Sequence, residues 1–364
     1  MKYALIGCGR VSPNHITAAL QNGLEVVALC DLLPEAAAAL KQRFPELGAV
    51  RTYTDHRDML RAEKPELVAI AAVSGAHAAL AVDCIRAGSN VIIEKPIALS
   101  LADADLILAE AEKANVKVCA NHQNRFNPSV QAIRCAIEQG RFGKLYHATA
   151  QIRWNRSKAY YDQAPWRGTW AQDGGCLMNQ CIHNIDLLNW MLGSEPVSVT
   201  AVTDNLSHGY IEGEDLGLAI IKYKNGAYGT VEGTVNVFGG DLEEVLCLFG
   251  ERGTVKAGGA INDVIEAWRF ADAEPEEEAT VKQRFSKAAD HIYGCGHTPL
   301  YADMIDAIRQ DREPYVSGQA GRSALELVLA VYRSSLTHTA VSLPLEAAST
   351  LDCKELFRKG PKER

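Results

Sequence analysis

The chain has 364 residues, 47% hydrophobic and 23% charged, with a formal net charge of −8. That length suits two domains rather than one, and an acidic balance without a lysine or arginine block argues against nucleic-acid binding. No apolar run is long enough to span a bilayer. The opening Met1–Ile6 reads as a β-strand rather than a signal peptide, and the ten cysteines have no CxxC pattern, so they read as reduced core residues of a cytoplasmic protein.

Residues 3–31 hold the first motif. A strand, Tyr3–Ile6, runs into Gly7-Cys8-Gly9-Arg10-Val11-Ser12, then a helical pattern from Pro13 to Leu20, then a second strand from Glu25 to Cys30 that ends at Asp31. Gly7 permits the tight turn, Gly9 lets backbone N–H groups approach a pyrophosphate, and the small Ser12 lets helix and strand pack closely. Asp31 lies about 20 residues beyond the glycines, where a carboxylate accepts from a ribose hydroxyl. The acid would repel a 2′-phosphate and Leu32-Leu33 bring no base, so NAD is expected rather than NADP. A βαβ unit without a ligand is the plainer alternative.

Strands and helices keep alternating to residue 123. Helices are expected over 36–44, 55–62, 77–87 and 100–113, and strands over 67–72, 91–95 and 116–120. The strand ends carry Val73, Ser74 and His77, then Glu94 and Lys95, then Asn121, all where open α/β sheets bind ligands. Val91-Ile92-Ile93-Glu94-Lys95-Pro96 is the most pointed of these, because Pro96 cannot continue a ladder and a desolvated lysine can move protons. A surface ion pair is the plainer reading of Glu94 and Lys95. The region reads as a doubly wound dinucleotide-binding domain, residues 1–123.

Residues 124–345 read as an α+β domain, followed by a tail over 346–364 whose end is basic. After a helix ending near Gly140, strands are expected at 145–154, 197–205, 215–223, 227–237, 243–249 and 253–257, joined by short turns such as Asn225-Gly226. Such a run makes a large, mostly antiparallel open sheet. Helices are expected at 175–192, 298–310 and 319–336, and 270–290 reads as an exposed excursion. Gly174-Gly175 open the first of these helices, whose spacing puts Asn179, His183 and Asp186 on one face. That spacing without a second ligand cluster gives poor support for a metal, and none is expected. Between Trp154 and Trp170 lie Arg156, Lys158, Tyr160, Tyr161, Trp166 and Arg167, a set suited to sugars, carboxylates and phosphates. An amphipathic loop at a subunit interface is the alternative.

These motifs, in this order, resemble the glucose–fructose oxidoreductase/inositol dehydrogenase (Gfo/Idh/MocA) family: the paired glycines, Glu94-Lys95-Pro96, Arg125-Phe126-Asn127-Pro128, Trp166-Arg167-Gly168 and the glycine-led helix with His183 and Asp186. The resemblance covers about residues 1–340. It implies an N-terminal Rossmann domain that holds NAD and a C-terminal substrate and oligomerisation domain, forming a dimer or tetramer through its sheet. It implies that Lys95 lies near nicotinamide and substrate, with His183 on the reacting hydroxyl, and that Gly7, Cys8, Gly9, Arg10, Val11, Asp31, Val73, Ser74, His77, Glu94, Asn121, Trp166 and Arg167 face the cofactor. Asn179 stands where the family most often has aspartate, and an amide can hydrogen-bond a hydroxyl but not take its proton. Cys176 replaces a frequent third glycine. Within the family, the 154–170 loop and Leu177-Met178-Asn179-Gln180 are most similar to UDP-N-acetylglucosaminuronate 3-dehydrogenases of bacterial surface-polysaccharide (lipopolysaccharide O-antigen) biosynthesis. The alternatives are a dehydrogenase of a free polyol or aldose such as an inositol, and a dinucleotide-sensing regulator without chemistry. The bases of the loop favour an anionic substrate, and retention of Lys95 and His183 disfavours the sensor.

Overall fold

The computed structural model describes residues 1–286, 294–354 and 356–357. The chain forms two compact units, residues 1–123 with 295–322, and residues 124–294 with 323–364.

The first unit is built on six parallel strands, β1 (Lys2–Ile6), β2 (Glu25–Cys30), β3 (Arg51–Tyr53), β4 (Leu67–Ile70), β5 (Asn90–Ile93) and β6 (Val118–Ala120). Their order is β3-β2-β1-β4-β5-β6. Strand order reverses between β1 and β4, so the crevice at their carboxyl ends is the position where such sheets take ligands. Leu67, Val68, Ala69 and Ile70 of β4 are fully buried, as are Val91, Ile92 and Ile93 of β5, because helices cover both faces. The three-residue β3 pairs with β2 and carries a largely exposed sequence, so it leaves no apolar pattern to read.

Residues 295–322 correct the expected boundary, which placed them in the second domain. Helix His297–Gln310 packs against helix Ser12–Gln21 and buries Leu300, Tyr301 and Met304, while Ala120 N–H donates to the Val316 carbonyl (3.1 Å) at the sheet edge. An apolar helix face shows in the sequence, but the helix that receives it does not.

The second unit holds an eight-stranded sheet of β7 (Leu145–Arg153), β8 (Pro196–Asp204), β9 (Leu216–Tyr223), β10 (Tyr228–Thr234), β11 (Glu243–Gly250), β12 (Gly253–Gly258), β13 (Val264–Phe270) and β14 (Val341–Ser342). The order is β13-β12-β11-β7-β10-β9-β8-β14, antiparallel throughout except for the parallel pair β7 and β10. Helix Ile182–Leu192 packs on β7, β10 and β11. Tyr146, Val202, Leu218, Ile220 and Tyr228 remain exposed on this sheet.

Three expectations differ in detail. The helix expected over 175–192 is broken into Cys176–Asn179 and Ile182–Leu192. Cys181 N–H donates to the Cys176 carbonyl (3.0 Å), five residues back, which widens the turn and takes Asn179 out of the helical phase of His183. The expected excursion over 270–290 begins with the end of β13, continues in the exposed helix Glu277–Phe285, and has its last residues, 287–290, outside the described part. The expected tail starts as packed structure: Thr350 Oγ1 donates to the Trp170 carbonyl (2.6 Å), while residues 355 and 358–364 lie outside the described part.

Candidate active site

At the end of β1 the two glycines are required for different reasons. Gly7 has φ +93°, and a Cβ there would stand 2.4 Å from the Ala71 carbonyl oxygen. Around Gly9 a Cβ would meet nothing within 4 Å, so its space is open to an incoming group rather than filled by protein. Ser12 Oγ donates to the Gly9 carbonyl (2.6 Å) and opens helix Ser12–Gln21, which has no side-chain cap. Asp31 accepts from Cys8 N–H on one oxygen (2.7 Å) and from Leu33 N–H on the other (2.9 Å), which aims the carboxylate and leaves each oxygen able to accept a further hydroxyl. Leu32 and Leu33 are exposed beside it and carry no charge. An open glycine turn, an uncapped helix start and an aimed carboxylate fit a dinucleotide. The Cys8 amide is a correction: it is spent on Asp31.

The other strand ends are occupied differently from expectation. Val73 and Ser74 form the turn beyond β4 and fit the expected place. His77 is buried, with Nδ1 2.7 Å from the Pro96 carbonyl and Nε2 3.1 Å from that of Ala72, so it ties the turn after β4 to the segment after β5 instead of meeting a cofactor. Burial pushes its imidazole pKa down, against the pull of the two carbonyls. Glu94 and Asn121 also turn inward. Glu94 Oε1 lies 3.0 Å from His15 Nε2 and accepts from Asn121 Nδ2, while its Oε2 accepts from the Lys95 backbone N–H (3.2 Å). Burial raises the Glu94 carboxyl pKa, but hydrogen bonds from His15 and His297 outweigh it and hold the group well below the usual carboxylate range. The network continues from His15 Nδ1 to Tyr301 (2.7 Å) and Tyr3 (2.9 Å). His15, Glu94 and His297 could offer three ligand atoms within 4.8 Å of one another. Their hydrogen bonds account for the arrangement without a cation. The half-buried Lys95 thus follows directly on a fixed negative charge.

In the second unit the glycine pair is again dictated by neighbours. Gly174 has φ +86°, and a Cβ on Gly175 would fall 1.6 Å from Glu214 Oε2. Glu214 Oε1 accepts from Leu177 N–H (2.7 Å) and Tyr332 OH (2.9 Å). Asn179 donates through Nδ2 to Asp173 Oδ1, and His183 is buried in the first turn of the next helix. Asp186 does not join them: Arg125 Nε and Nη2 grip it bidentately at 2.7 and 2.6 Å. That pair anchors helix Ile182–Leu192.

The aromatic loop separates its three bases. Arg156 pairs with Asp241 (2.8 Å) and stacks over Trp154 (4.5 Å). Lys158 is 63% exposed and pairs with Asp162 (2.6 Å). Arg167 alone of the three has no carboxylate partner among the described residues; it donates to Tyr160 OH (2.6 Å) and lies over the Tyr160 and Trp166 rings at 4.3 and 4.6 Å. Tyr161 is buried against His208 and Tyr210, which removes it from the expected substrate contacts. Asp173 and Glu214 stand at the glycine pair without having been expected there. Asp173 carries a usable signal, an acid directly before the glycine pair. Glu214 lies in a loop distant in sequence and carries none.

Residues 1–122 match the family model for an oxidoreductase family with an NAD-binding Rossmann fold, and residues 130–256 match that of the GFO/IDH/MocA C-terminal domain. The WlbA dehydrogenase of Bordetella pertussis, crystallised with NADH and UDP-GlcNAcA, is 36% identical, with 95% of this chain and 98% of that one covered and a TM-score of 0.88. The WlbA dehydrogenase of Chromobacterium violaceum, with the same two ligands, is 33% identical, with 95% and 96% covered and a TM-score of 0.86. D-apiose dehydrogenase of Paraburkholderia graminis is 28% identical over 353 residues, 94% of this chain and 89% of its own. Two matched domains in tandem and likeness over nearly the whole length make this chain a member of the Gfo/Idh/MocA family, an NAD-dependent oxidoreductase acting on CH–OH groups.

Proposed function

We propose that the enzyme oxidises the C3 hydroxyl of UDP-N-acetylglucosaminuronate to the 3-keto sugar, in the bacterial cytoplasm, for surface-polysaccharide (lipopolysaccharide) biosynthesis. The observation that carries this reading is that proteins 36% and 33% identical over 95% of the chain were each crystallised in complex with NADH and UDP-GlcNAcA. Arg167 supports it, since an arginine without a carboxylate partner among the described residues suits a phosphate or a uronate carboxylate. NAD, when bound, accepts the hydride. Asp31 holds the ribose hydroxyls and the open backbone at Gly9 admits the pyrophosphate. Lys95 takes the hydroxyl proton as the general base, and His183 is the second acid–base group on that oxygen. Asn179 orients the hydroxyl without taking its proton. The exposed apolar residues of the second sheet, among them Tyr146, Ile220 and Tyr228, suit a homo-oligomer formed through that face.

A second reading, oxidation of a free aldose or polyol, is favoured by the likeness to D-apiose dehydrogenase and by the pairing of Arg156 and Lys158 with acids, which lowers the positive field of the loop. Initial rates of NADH formation with UDP-N-acetylglucosaminuronate, UDP-N-acetylglucosamine, D-apiose and myo-inositol decide between them. The uronate should give the highest kcat/KM and a product two mass units lighter. A free sugar oxidised with higher kcat/KM overturns the proposal.

A further inference from the structure

Asp173 lies directly before the glycine pair and is 1% exposed. Its Oδ2 accepts from Gly168 N–H (2.7 Å) and its Oδ1 from Asn179 Nδ2. A carboxylate only accepts, so the NH2 of Asn179 is forced to face it and the amide oxygen to face away. Turning the amide over would set its oxygen against the carboxylate and lose a charge-assisted hydrogen bond. The Asn179 oxygen then accepts from Gln180 Nε2 (3.2 Å), and the same nitrogen uses its other hydrogen on the Tyr160 oxygen (3.2 Å). Arg167 Nη1 also donates to that oxygen (2.6 Å). With both lone pairs of the phenol taken, its own hydrogen must point to a further acceptor. Burial raises the Tyr160 pKa against the pull of Arg167, so the phenol keeps that hydrogen.

We propose that Asp173 is a positioning residue that sets the polarity of this network, presenting Asn179 as an acceptor for the reacting hydroxyl and Tyr160 as a donor to the anionic part of the substrate. The placement of Asn179 and Tyr160 at substrate rests on the function proposed above. The polarity itself follows from a carboxylate at one end and a guanidinium at the other. Asp173 does not touch substrate; it acts through Asn179.

The test exchanges the acid and the amide. Asp173→Asn lets the Asn179 amide turn over, and Asn179→Asp sets two carboxylates against each other. Each should lower kcat by about 10- to 100-fold, with the KM for NAD unchanged. In the double variant, Asp173→Asn with Asn179→Asp, the two side chains trade places. The amide now at position 173 donates to the carboxylate now at position 179, while its oxygen accepts from Gly168 N–H, so an acceptor is restored at 179. The double variant should therefore recover most of the lost kcat. Asn179→Ala, which leaves the bond from Gly168 to Asp173 intact, should lose as much kcat as Asp173→Asn and covers the case in which that variant fails to fold. Wild-type kcat in Asp173→Asn or Asn179→Ala, or a double variant slower than both single variants, overturns the proposal. Rates are read on whichever sugar the wild type oxidises fastest. A wild type that prefers a free aldose overturns the function proposed above, and Asp173 is then judged on the aldose.

Discussion

Glu94 in the first unit and Glu214 in the second are both buried acids beside a chemical segment, and they are held in opposite states. Glu94 shares its oxygens among His15, His297, Asn121 and the Lys95 amide, and it stays well below the usual carboxylate range. Glu214 receives Leu177 N–H and Tyr332 OH on one oxygen only, and its Oε2 has no hydrogen-bond partner among the described residues. Burial pushes its carboxyl up to about 8. Depth alone therefore does not decide ionisation; donors per oxygen do. The first unit keeps a fixed negative charge next to Lys95, whereas the second keeps a neutral acid against Gly175, where it serves shape.

The largest expected effect tests whether the charged side carries the proton chemistry. Lys95→Ala should lower kcat by about 10²–10⁴-fold, with NADH still bound in a fluorescence titration, and His183→Ala should fall in the same range. Near wild-type kcat in either variant makes that residue structural. Next comes stability. Glu94→Gln removes a charged acceptor from its donors and should cost about 1.5–3 kcal/mol in denaturant unfolding, while Glu214→Gln replaces an already neutral acid and should cost less. Equal losses would erase the contrast.

Substrate kinetics give the third test. Arg167→Ala should raise the KM for the UDP-sugar about tenfold or more, and Arg156→Ala should raise it less, because Asp241 already holds that guanidinium. The reverse order would move the anion site to Arg156. The smallest effect is in pH dependence. The Glu214 carboxyl is raised in the folded protein from the ordinary 4.5 to about 8, so the folded state binds the extra proton between those values. Its contribution to stability is complete below pH 4.5 and is lost as pH rises through 8. Melting temperatures measured from pH 5 to 8 should fall less steeply in Glu214→Gln than in wild type. An unchanged slope would place the titration elsewhere, Glu244 being a second buried carboxyl raised to about 8.

Local pattern made residues 1–123 of the first unit readable from sequence, apart from the three-residue β3. Buried parallel strands have continuous apolar runs, the glycine turn has a fixed spacing, and Asp31 follows at the expected distance. Gly7, Gly9, Asp31, Val73 and Ser74 fall where the spacing put them. The alternating strands of the second sheet were as legible, except the two-residue β14 and β13, which lies beside an acidic, exposed stretch. Motif order also made the family legible, since five short segments recur in sequence whatever their contacts.

Side-chain direction was a different matter. His77, Glu94 and Asn121 stand at the right strand ends, yet each turns into the protein, because partners such as Pro96, His15 and His297 come from distant segments. Asp186 looked chemical from its helical spacing and is consumed by Arg125. The three loop bases looked equivalent until Asp241 and Asp162 took two of them. Residues 295–322 read as part of the second domain and pack with the first. The sequence by itself determined what local period and spacing encode: the elements, the dinucleotide turn, and the residue types gathered near each strand end and glycine turn. Only the tertiary structure decided which polar groups meet. Hydrogen bonds and ion pairs act over about 3 Å between segments at any separation along the chain, and no periodicity records them.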